Sequence, residues 1–343
     1  MYLLCMQSIP IPAERSAAAR QIADILKPGQ RVALTTHVNA DGDGVGSEVG
    51  LWHLLRAGGL DPVIANPTGI PERFDFLVPP GADASDRAGR EIARADVVVV
   101  LDISDLGRLG DLAAAVRDRR APVACIDHHV SPGTLPAGPR LVAPEATATA
   151  ELVFDLAMAL DWPLTTEAAR ALYVGILTDT GGFRFSNTSA RALRVAAALL
   201  EHGVEPESIY EAVYASAPEG RVRLLAEVLQ TLVVEPERGL AWVTVPAGAL
   251  ERHGVTPDDL DGIVEHARSI AGVRLALLFR QIANGRIKVS FRSMGSVDAA
   301  ALAQGFGGGG HHKAAGASLE GSVADVQARV LAAARQYLNG GAS

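Results

Sequence analysis

Three clusters of acids and imidazoles, each at the end of an apolar run, are the residues of this chain that could do chemistry. His37, Asp41 and Asp43 follow Arg31–Thr36, Asp102 follows Val97–Leu101, and Asp127, His128 and His129 follow Val123–Ile126. Asp179 comes later, after a stretch of helical spacing. Short aliphatic, β-branched runs of this kind read as buried parallel strands. Ligands placed where parallel strands end converge on one crevice. Singly, an Asp-Gly-Asp is a turn, an Asp after a strand is a cap, and an Asp-His-His is a set of solvated polar residues. Three strand ends finishing this way point instead to a metal site. Hard divalent cations take oxygen ligands, and a mixed Asp/His shell favours Mn²⁺ over Ca²⁺. Two such cations about 3.5–4 Å apart share a carboxylate and clamp both the attacking and the leaving oxygen of a phosphoryl group.

The elements that must position these residues can be read from periodicity. Helical spacing covers residues 13–26 before the first strand, and Gly42, Gly44 and Gly46 read as a loop opening a helix to about Arg56. Asp61–Asn66 reads as a strand, Pro67–Gly81 as loop, 86–94 and 111–119 as short helices, and Pro132–Pro144 as an irregular excursion. Helices are expected at 146–160, 166–178 and 189–202, the last ending at Gly203. Strand and helix alternating this way predict an α/β fold with a doubly wound, mostly parallel sheet. After Glu205 the character changes. Two helical segments, 206–215 and 219–232, carry no site-like residues and read as a bridge.

A second, smaller α/β domain follows, with a strand at 240–245, a helix opened by Thr256-Pro257, and β-rich runs flanking Asn284-Gly285, a strong hairpin signal. A helix at 296–304 precedes four glycines, Gly307–Gly310, then His311, His312 and Lys313, and a helix at 322–337 closes the chain. The expected division is 15–205 for the metal-binding catalytic domain, 206–235 for a helical linker and 236–340 for a substrate-binding domain, with a central cleft. Glycines let phosphate or a nucleoside sit against backbone N–H groups, and Arg292 at a strand end can grip phosphate in a bidentate manner or stack on a base.

In order, the His37–Asp43 segment, the Asp102 strand end with Arg108 six residues on, Asp127-His128-His129, and Thr178-Asp179-Thr180-Gly181 resemble the four motifs of the DHH phosphoesterase superfamily. Arg292-Ser293 and the Gly-rich His311 segment resemble the DHH-associated C-terminal domain. Length and domain order look like the nanoRNase-like branch, the short-oligoribonuclease and 3′,5′-bisphosphate nucleotidase proteins. The resemblance implies two Mn²⁺ ions, with Mg²⁺ or Co²⁺ as substitutes. One metal would take His37, Asp41 and Asp102, and the other Asp43, the bridging Asp102, His128 and Asp179. His129 would meet the substrate phosphate, with Asp127 orienting its neighbours. Arg108, Arg292, Ser293, Gly309, Gly310 and His311 would contact the nucleotide. Ala40 stands where the family usually has Pro, and Gly44 where Ala is common.

The implied activity is a phosphodiesterase/phosphatase using two-metal-activated water on short RNA oligomers, linear dinucleotides from cyclic dinucleotide turnover, or adenosine 3′,5′-bisphosphate. The rivals are a pyrophosphatase, polyphosphatase or single-strand exonuclease of the same superfamily, and a nucleotide sensor that has lost catalysis. Composition narrows the choice. A net charge of −8 argues against coating long duplex nucleic acid, and sixteen aromatic residues leave little for a long stacking track. No apolar run reaches a membrane span, and Met1–Pro10 lacks the basic start and cleavage site of a signal peptide. Cys5 and Cys125 make no disulfide framework, which fits a reducing cytoplasm. Assembly as a homodimer is left open.

Overall fold

The structure, a computed structural model, describes residues 9–130, 133–282, 285–310 and 312–340. It divides into two compact units, the first ending at Ser216 and the second beginning at Ala217.

The first unit runs α1 (Ala13–Asp24), β1 (Arg31–Thr35), α2 (Gly42–Ala57), β2 (Asp61–Ile64), α3 (Ala88–Arg94), β3 (Val97–Leu101), α4 (Ala113–Arg117), β4 (Val123–Asp127), β5 (Arg140–Val142), α5 (Thr149–Ala159), α6 (Thr166–Asp179), α7 (Ala190–Glu201) and α8 (Pro206–Tyr214). Its five strands lie in the order β2-β1-β3-β4-β5, and every pairing is parallel. Successive side chains point to opposite faces of a strand, and both faces here are covered. Val32, Leu34, Val97, Val99, Ala124 and Ile126 join the core with residues from α1, α2, α5 and α6. Ala33, Val98, Val100, Val123 and Cys125 join a second core with residues from α3 and α4. This is the doubly wound sheet read from the sequence. The chain leaves β1 toward β2 and returns on its other side as β3, so the strand order reverses between β1 and β3, where a crevice opens at the carboxyl ends.

Helices α2 and α6 approach at backbone distance. A Cβ on Gly46 would fall 2.5 Å from the Ala171 carbonyl oxygen and 2.8 Å from the Gly175 nitrogen. The expected glycine loop is therefore corrected: Gly42, Gly44 and Gly46 lie inside α2, none with positive φ, and serve close packing instead of a tight turn. Pro132–Pro144 also differs from expectation, because β5 forms within it as an edge strand on β4. Pro67–Gly81 holds a 3₁₀ turn, Glu72–Leu77.

The second unit comprises α9 (Glu219–Leu229), β6 (Val233–Glu235), β7 (Leu240–Thr244), α10 (Ala249–His253), α11 (Ile263–Arg268), β8 (Leu275–Gln281), β9 (Arg286–Ser293), α12 (Ala299–Gln304), β10 (Gly309–Gly310), β11 (Ala314–Glu320) and α13 (Val323–Gly340). The sheet order is β10-β11-β9-β8-β7-β6, antiparallel except for β7 beside β8. Leu277, Phe279, Val289 and Phe291 pack with α12 and α13, while Ala241, Val243, Ala276 and Leu278 pack with α9, α10 and α11. The expected hairpin is present as the β8–β9 pair, although Asn284 lies outside the described residues.

The expected 206–235 linker is divided between the units. Ile209 of α8 is buried in the first core, whereas Leu224 and Val228 of α9 are buried in the second and β6 extends its sheet. Both helices are amphipathic, and each buries its apolar stripe against its own unit. No helix among the described residues is long and apolar enough to cross a membrane.

Candidate metal centre

The carboxyl ends of β1, β3 and β4 deliver His37, Asp102 and Asp127 to one place, as the switch-point rule requires. Asp41 caps α2, its Oδ1 accepting the N–H groups of Asp43 (3.0 Å) and Gly44 (3.2 Å), and Asp43 opens that helix. Asp179 ends α6. The glycine contact between the two helices holds these last carboxylates on one site. Asp102 has φ 57°, a left-handed conformation costing about 1 kcal/mol or more for an L-residue. Strain stored at a strand end is a mark of a functional position.

Three sets of ligand-type atoms gather within 4.8 Å of one another: His37, Asp41 and Asp102; Asp43, His128 and Asp179; and Asp102, His128 and His129. His37 Nε2 is 3.6 Å from Asp102 Oδ2 and 3.9 Å from Asp41 Oδ2. His128 Nε2 is 3.6 Å from Asp102 Oδ1, 3.7 Å from Asp43 Oδ2 and 3.8 Å from Asp179 Oδ2. Asp102 thus offers one oxygen to each side. A carbonyl only accepts, so the contacts of His37 Nδ1 with Val38 O (2.9 Å) and His128 Nδ1 with Ala146 O (3.3 Å) put the proton on Nδ1. The Nε2 atoms are then the ones that face the carboxylates. This donor set, imidazoles whose Nδ1 atoms are engaged by carbonyls and whose Nε2 atoms lie among acids, fits divalent cations.

His129 differs from the other two. Asp127 Oδ1 accepts its N–H (3.2 Å) and lies 2.8 Å from its Nδ1, so the Nδ1 proton is donated to Asp127. Although Nδ1 is also 3.6 Å from Asp102, a protonated nitrogen does not ligate metal. Burial opposes the His129 cation, yet the Asp127 hydrogen bond and the Asp102 and Asp127 charges push its pKa up.

The acids are crowded. Burial first, then Asp102, Asp179 and Asp41, push the Asp43 carboxyl far up. Burial and the Asp102 and Asp41 charges lift Asp179 to about 6, against the pull of His128. Burial opposes ionisation of Asp102, but the His37 hydrogen bond and the nearby imidazoles hold it below the usual carboxylate range. Four converging carboxylates without cations repel, and divalent charge reverses that balance.

Several supports escaped the sequence reading. Asp43 Oδ2 accepts the N–H of Thr149 (2.6 Å), and Oδ1 accepts that of Ala150 (3.0 Å) and the Ser47 hydroxyl (3.2 Å). Thr149 Oγ1 donates to Asp102 Oδ1 at 2.9 Å. Asn187 Nδ2 donates to Asp179 Oδ2 at 3.1 Å. Only the helix start at Thr149 carried a signal, since free N–H groups at a helix N-terminus attract an anion.

Arg108 lies in the 3₁₀ segment Leu106–Leu112, where its carbonyl accepts the Val38 N–H at 2.8 Å and its charge reaches His129. The second-unit residues are placed differently from a simple ligand cradle. Arg292 Nε donates to Glu265 Oε1 at 3.0 Å, so part of its fork is already engaged. Ser293, expected to contact the nucleotide, is buried, and its hydroxyl donates toward the carbonyls of Val297 (2.8 Å) and His312 (3.1 Å). Gly309 and Gly310 form the short strand β10, exposed and paired with Gly316 and Ala315. His311 lies outside the described residues. Lys313 Nζ bonds to the Gly295 carbonyl. His253 Nε2 lies 2.7 Å from Glu227 Oε2, contributed by α9.

Fold and site together define a doubly wound α/β protein with a carboxylate–histidine centre at its switch point. Residues 31–176 match the family model described as DHH family, N-terminal domain, and residues 240–340 match the DHHA1 domain. The chain belongs to the DHH family. It is 36% identical over 325 residues to the bifunctional oligoribonuclease and PAP phosphatase NrnA of Thermus thermophilus, covering 93% of this chain and 94% of that one. The Bacillus subtilis protein of that name is 30% identical over 84% of this chain and 89% of its own. A solved exopolyphosphatase-related protein from Bacteroides fragilis superposes with a TM-score of 0.88 at 26% identity, covering 94% of this chain and 98% of that chain.

Proposed function

We propose that this chain is a phosphoesterase that uses two divalent cations, Mn²⁺ foremost, to hydrolyse short RNA oligomers, linear dinucleotides and adenosine 3′,5′-bisphosphate. The observation that carries the reading is Asp102, whose two oxygens face His37 and His128 on separate sides, so that one carboxylate belongs to two donor sets. His37, Asp41 and Asp102 would hold one cation, and Asp43, Asp102, His128 and Asp179 the other. Bound there, the cations would supply a water acidic enough to attack at neutral pH and would neutralise phosphoryl charge. The names of the relatives, oligoribonuclease and PAP phosphatase, support the substrate class.

The protein's own residues supply orientation and proton control. Thr149 and Ala150 fix Asp43, the Thr149 hydroxyl fixes Asp102, and Asn187 fixes Asp179. Asp127 aims His129 so that its Nε2 can donate to a phosphoryl oxygen. Arg108 adds positive charge on the same side. In the second unit, Arg292, Gly309, Gly310 and His311 would grip the nucleotide. The same reading places the enzyme in the cytoplasm with short nucleotides as partners and no long duplex, in keeping with the net charge of −8.

Hydrolysis of a trinucleotide, adenosine 3′,5′-bisphosphate, a 20-mer, pyrophosphate and polyphosphate, each with Mn²⁺, Mg²⁺ or Co²⁺, tests the proposal. Cation-dependent turnover of the first two over the rest is expected. Preference for polyphosphate or pyrophosphate, or binding without turnover, would overturn it.

A further inference from the structure

The segment that follows Asp179 carries an exposed aromatic ring out of the metal centre. Gly181 and Gly182 both have positive φ, 58° and 72°, which turns the chain sharply after α6. A Cβ on Gly181 would fall 2.4 Å from Phe185 Cζ, so the phenyl ring lies flat against that backbone, two residues from a metal-type ligand. Phe183 packs toward Tyr173, with ring centroids 6.1 Å apart, whereas Phe185 stays 50% exposed. Asn187 Nδ2, bonded to both the carbonyl and Oδ2 of Asp179, ties the far end of the segment to the centre.

Helix α8 completes the surface. Tyr210 and Tyr214 lie 5.3 Å apart between centroids, their rings tilted by 48°, and are 58% and 41% exposed. The charges of Arg184 and Arg73 both reach the Tyr214 hydroxyl. Arg184 is anchored through Nε to Gly181 O at 2.6 Å, and Arg73 lies 5.0 Å over the Phe74 ring. Among the described residues neither guanidinium is paired with a carboxylate. Open aromatic faces beside unpaired guanidinium groups are the composition of a surface that stacks bases and follows a phosphate backbone.

Resting on the function proposed above, we infer that Phe185, Tyr214 and Arg184 form a stacking shelf for the nucleoside next to the one being cleaved, with Arg73 and Tyr210 extending it. The occupant is a single-stranded nucleotide of the substrate itself. Continuity with Asp179 argues for this, and so does charge: in a chain of net charge −8, Arg184 on the segment after Asp179 and Arg73 near the same Tyr214 complement a polyanion. Such a shelf explains how one centre can serve both an oligomer and a bisphosphate. The bisphosphate has no second nucleoside to place, so only the oligomer gains from the aromatics.

The test compares kcat/KM of the full-length chain for a trinucleotide and for adenosine 3′,5′-bisphosphate, in the wild type, F185A, Y214A and F185W. The ratio of trinucleotide to bisphosphate efficiency should fall about tenfold or more in F185A and Y214A, the scale of one lost stacked base, mainly through KM, and F185W should restore it. An unchanged ratio, including an equal loss on both substrates, would overturn the shelf. A change in oligomeric state of F185A by size-exclusion chromatography would mark the aromatics as a contact between copies and would also overturn it. Wild-type protein inactive on both substrates would instead defeat the nucleotide-cleaving reading itself.

Discussion

Replacing Gly46 by Ala sets two effects of similar size against each other, and the structure decides the sign. Alanine in place of a mid-helix glycine normally stabilises by about 0.5–1 kcal/mol. At Gly46 the new methyl would meet Ala171 O at 2.5 Å and Gly175 N at 2.8 Å, both backbone atoms of α6 that cannot rotate away. Overpacking of this kind costs about 1–3 kcal/mol, so the net effect is a loss of about 1–2 kcal/mol. Two glycines calibrate it. At Gly50 the clash is with Leu172 Cδ2 at 2.5 Å, the end of a side chain that can turn, so G50A should lie near neutral. At Gly89, the second residue of α3, nothing lies within 4 Å, and G89A should stabilise by part of the propensity gain. With about 2–4 °C per kcal/mol for a unit of this size, thermal melts should rank G89A above wild type and G46A several degrees below. Because Gly46 and Gly175 neighbour Asp43 and Asp179 on their helices, G46A should also need more Mn²⁺ for half-maximal activity. A G46A protein melting with or above the wild type would refute the account of how α2 and α6 meet.

Asp102→Asn should lower cation-dependent turnover by about a thousandfold or more while leaving the fold intact, since Asn tolerates the φ of 57° that Ala would strain; near-normal kcat with Mn²⁺ would remove Asp102 from the centre. Thr149→Val keeps the N–H on Asp43 but deletes the hydroxyl on Asp102, and Mn²⁺ titration of activity should show about 10–100-fold weaker binding. Glu48, fully buried with Asn66 Nδ2 on one oxygen at 2.8 Å, has its pKa pushed from 4.5 to about 8 by burial. Its folded-state pKa is raised, so its stabilising contribution is complete below about pH 4.5 and is lost as pH climbs through about 8. Denaturant titrations of E48Q should therefore gain on the wild type by up to about 3 kcal/mol between pH 4.5 and 7. Parallel pH profiles would contradict this.

What the sequence displays and what it hides follow from the kind of interaction involved. The strands Val97–Leu101 and Val123–Asp127 are legible because burial on both faces demands continuous apolar side chains, and His37, Asp102 and Asp127 stand out against those runs. The contacts that hold Asp43 in place are backbone N–H groups of Thr149 and Ala150, more than a hundred residues away, and a backbone donor leaves no mark in residue type. The glycines of α2 are visible as glycines, but only the partner helix reveals that they serve contact instead of turning. The bridge expected at 206–235 misled because α8 and α9 lack polar chemistry. Their apolar stripes, led by Ile209 and Leu224, belong to two separate cores.

The residues that would grip cations are spread from position 37 to position 179: the set of His37, Asp41 and Asp102 is complete by residue 102, but the set with Asp43 and His128 closes only at Asp179. During synthesis the ribosome must therefore release almost the entire first unit before both sets, and so the paired pocket, can exist. Until then the exposed histidines and aspartates can capture metal only loosely. Metal loading would thus act as a late checkpoint, reporting that the sheet, the helices and the Thr149 contact to Asp102 have all assembled.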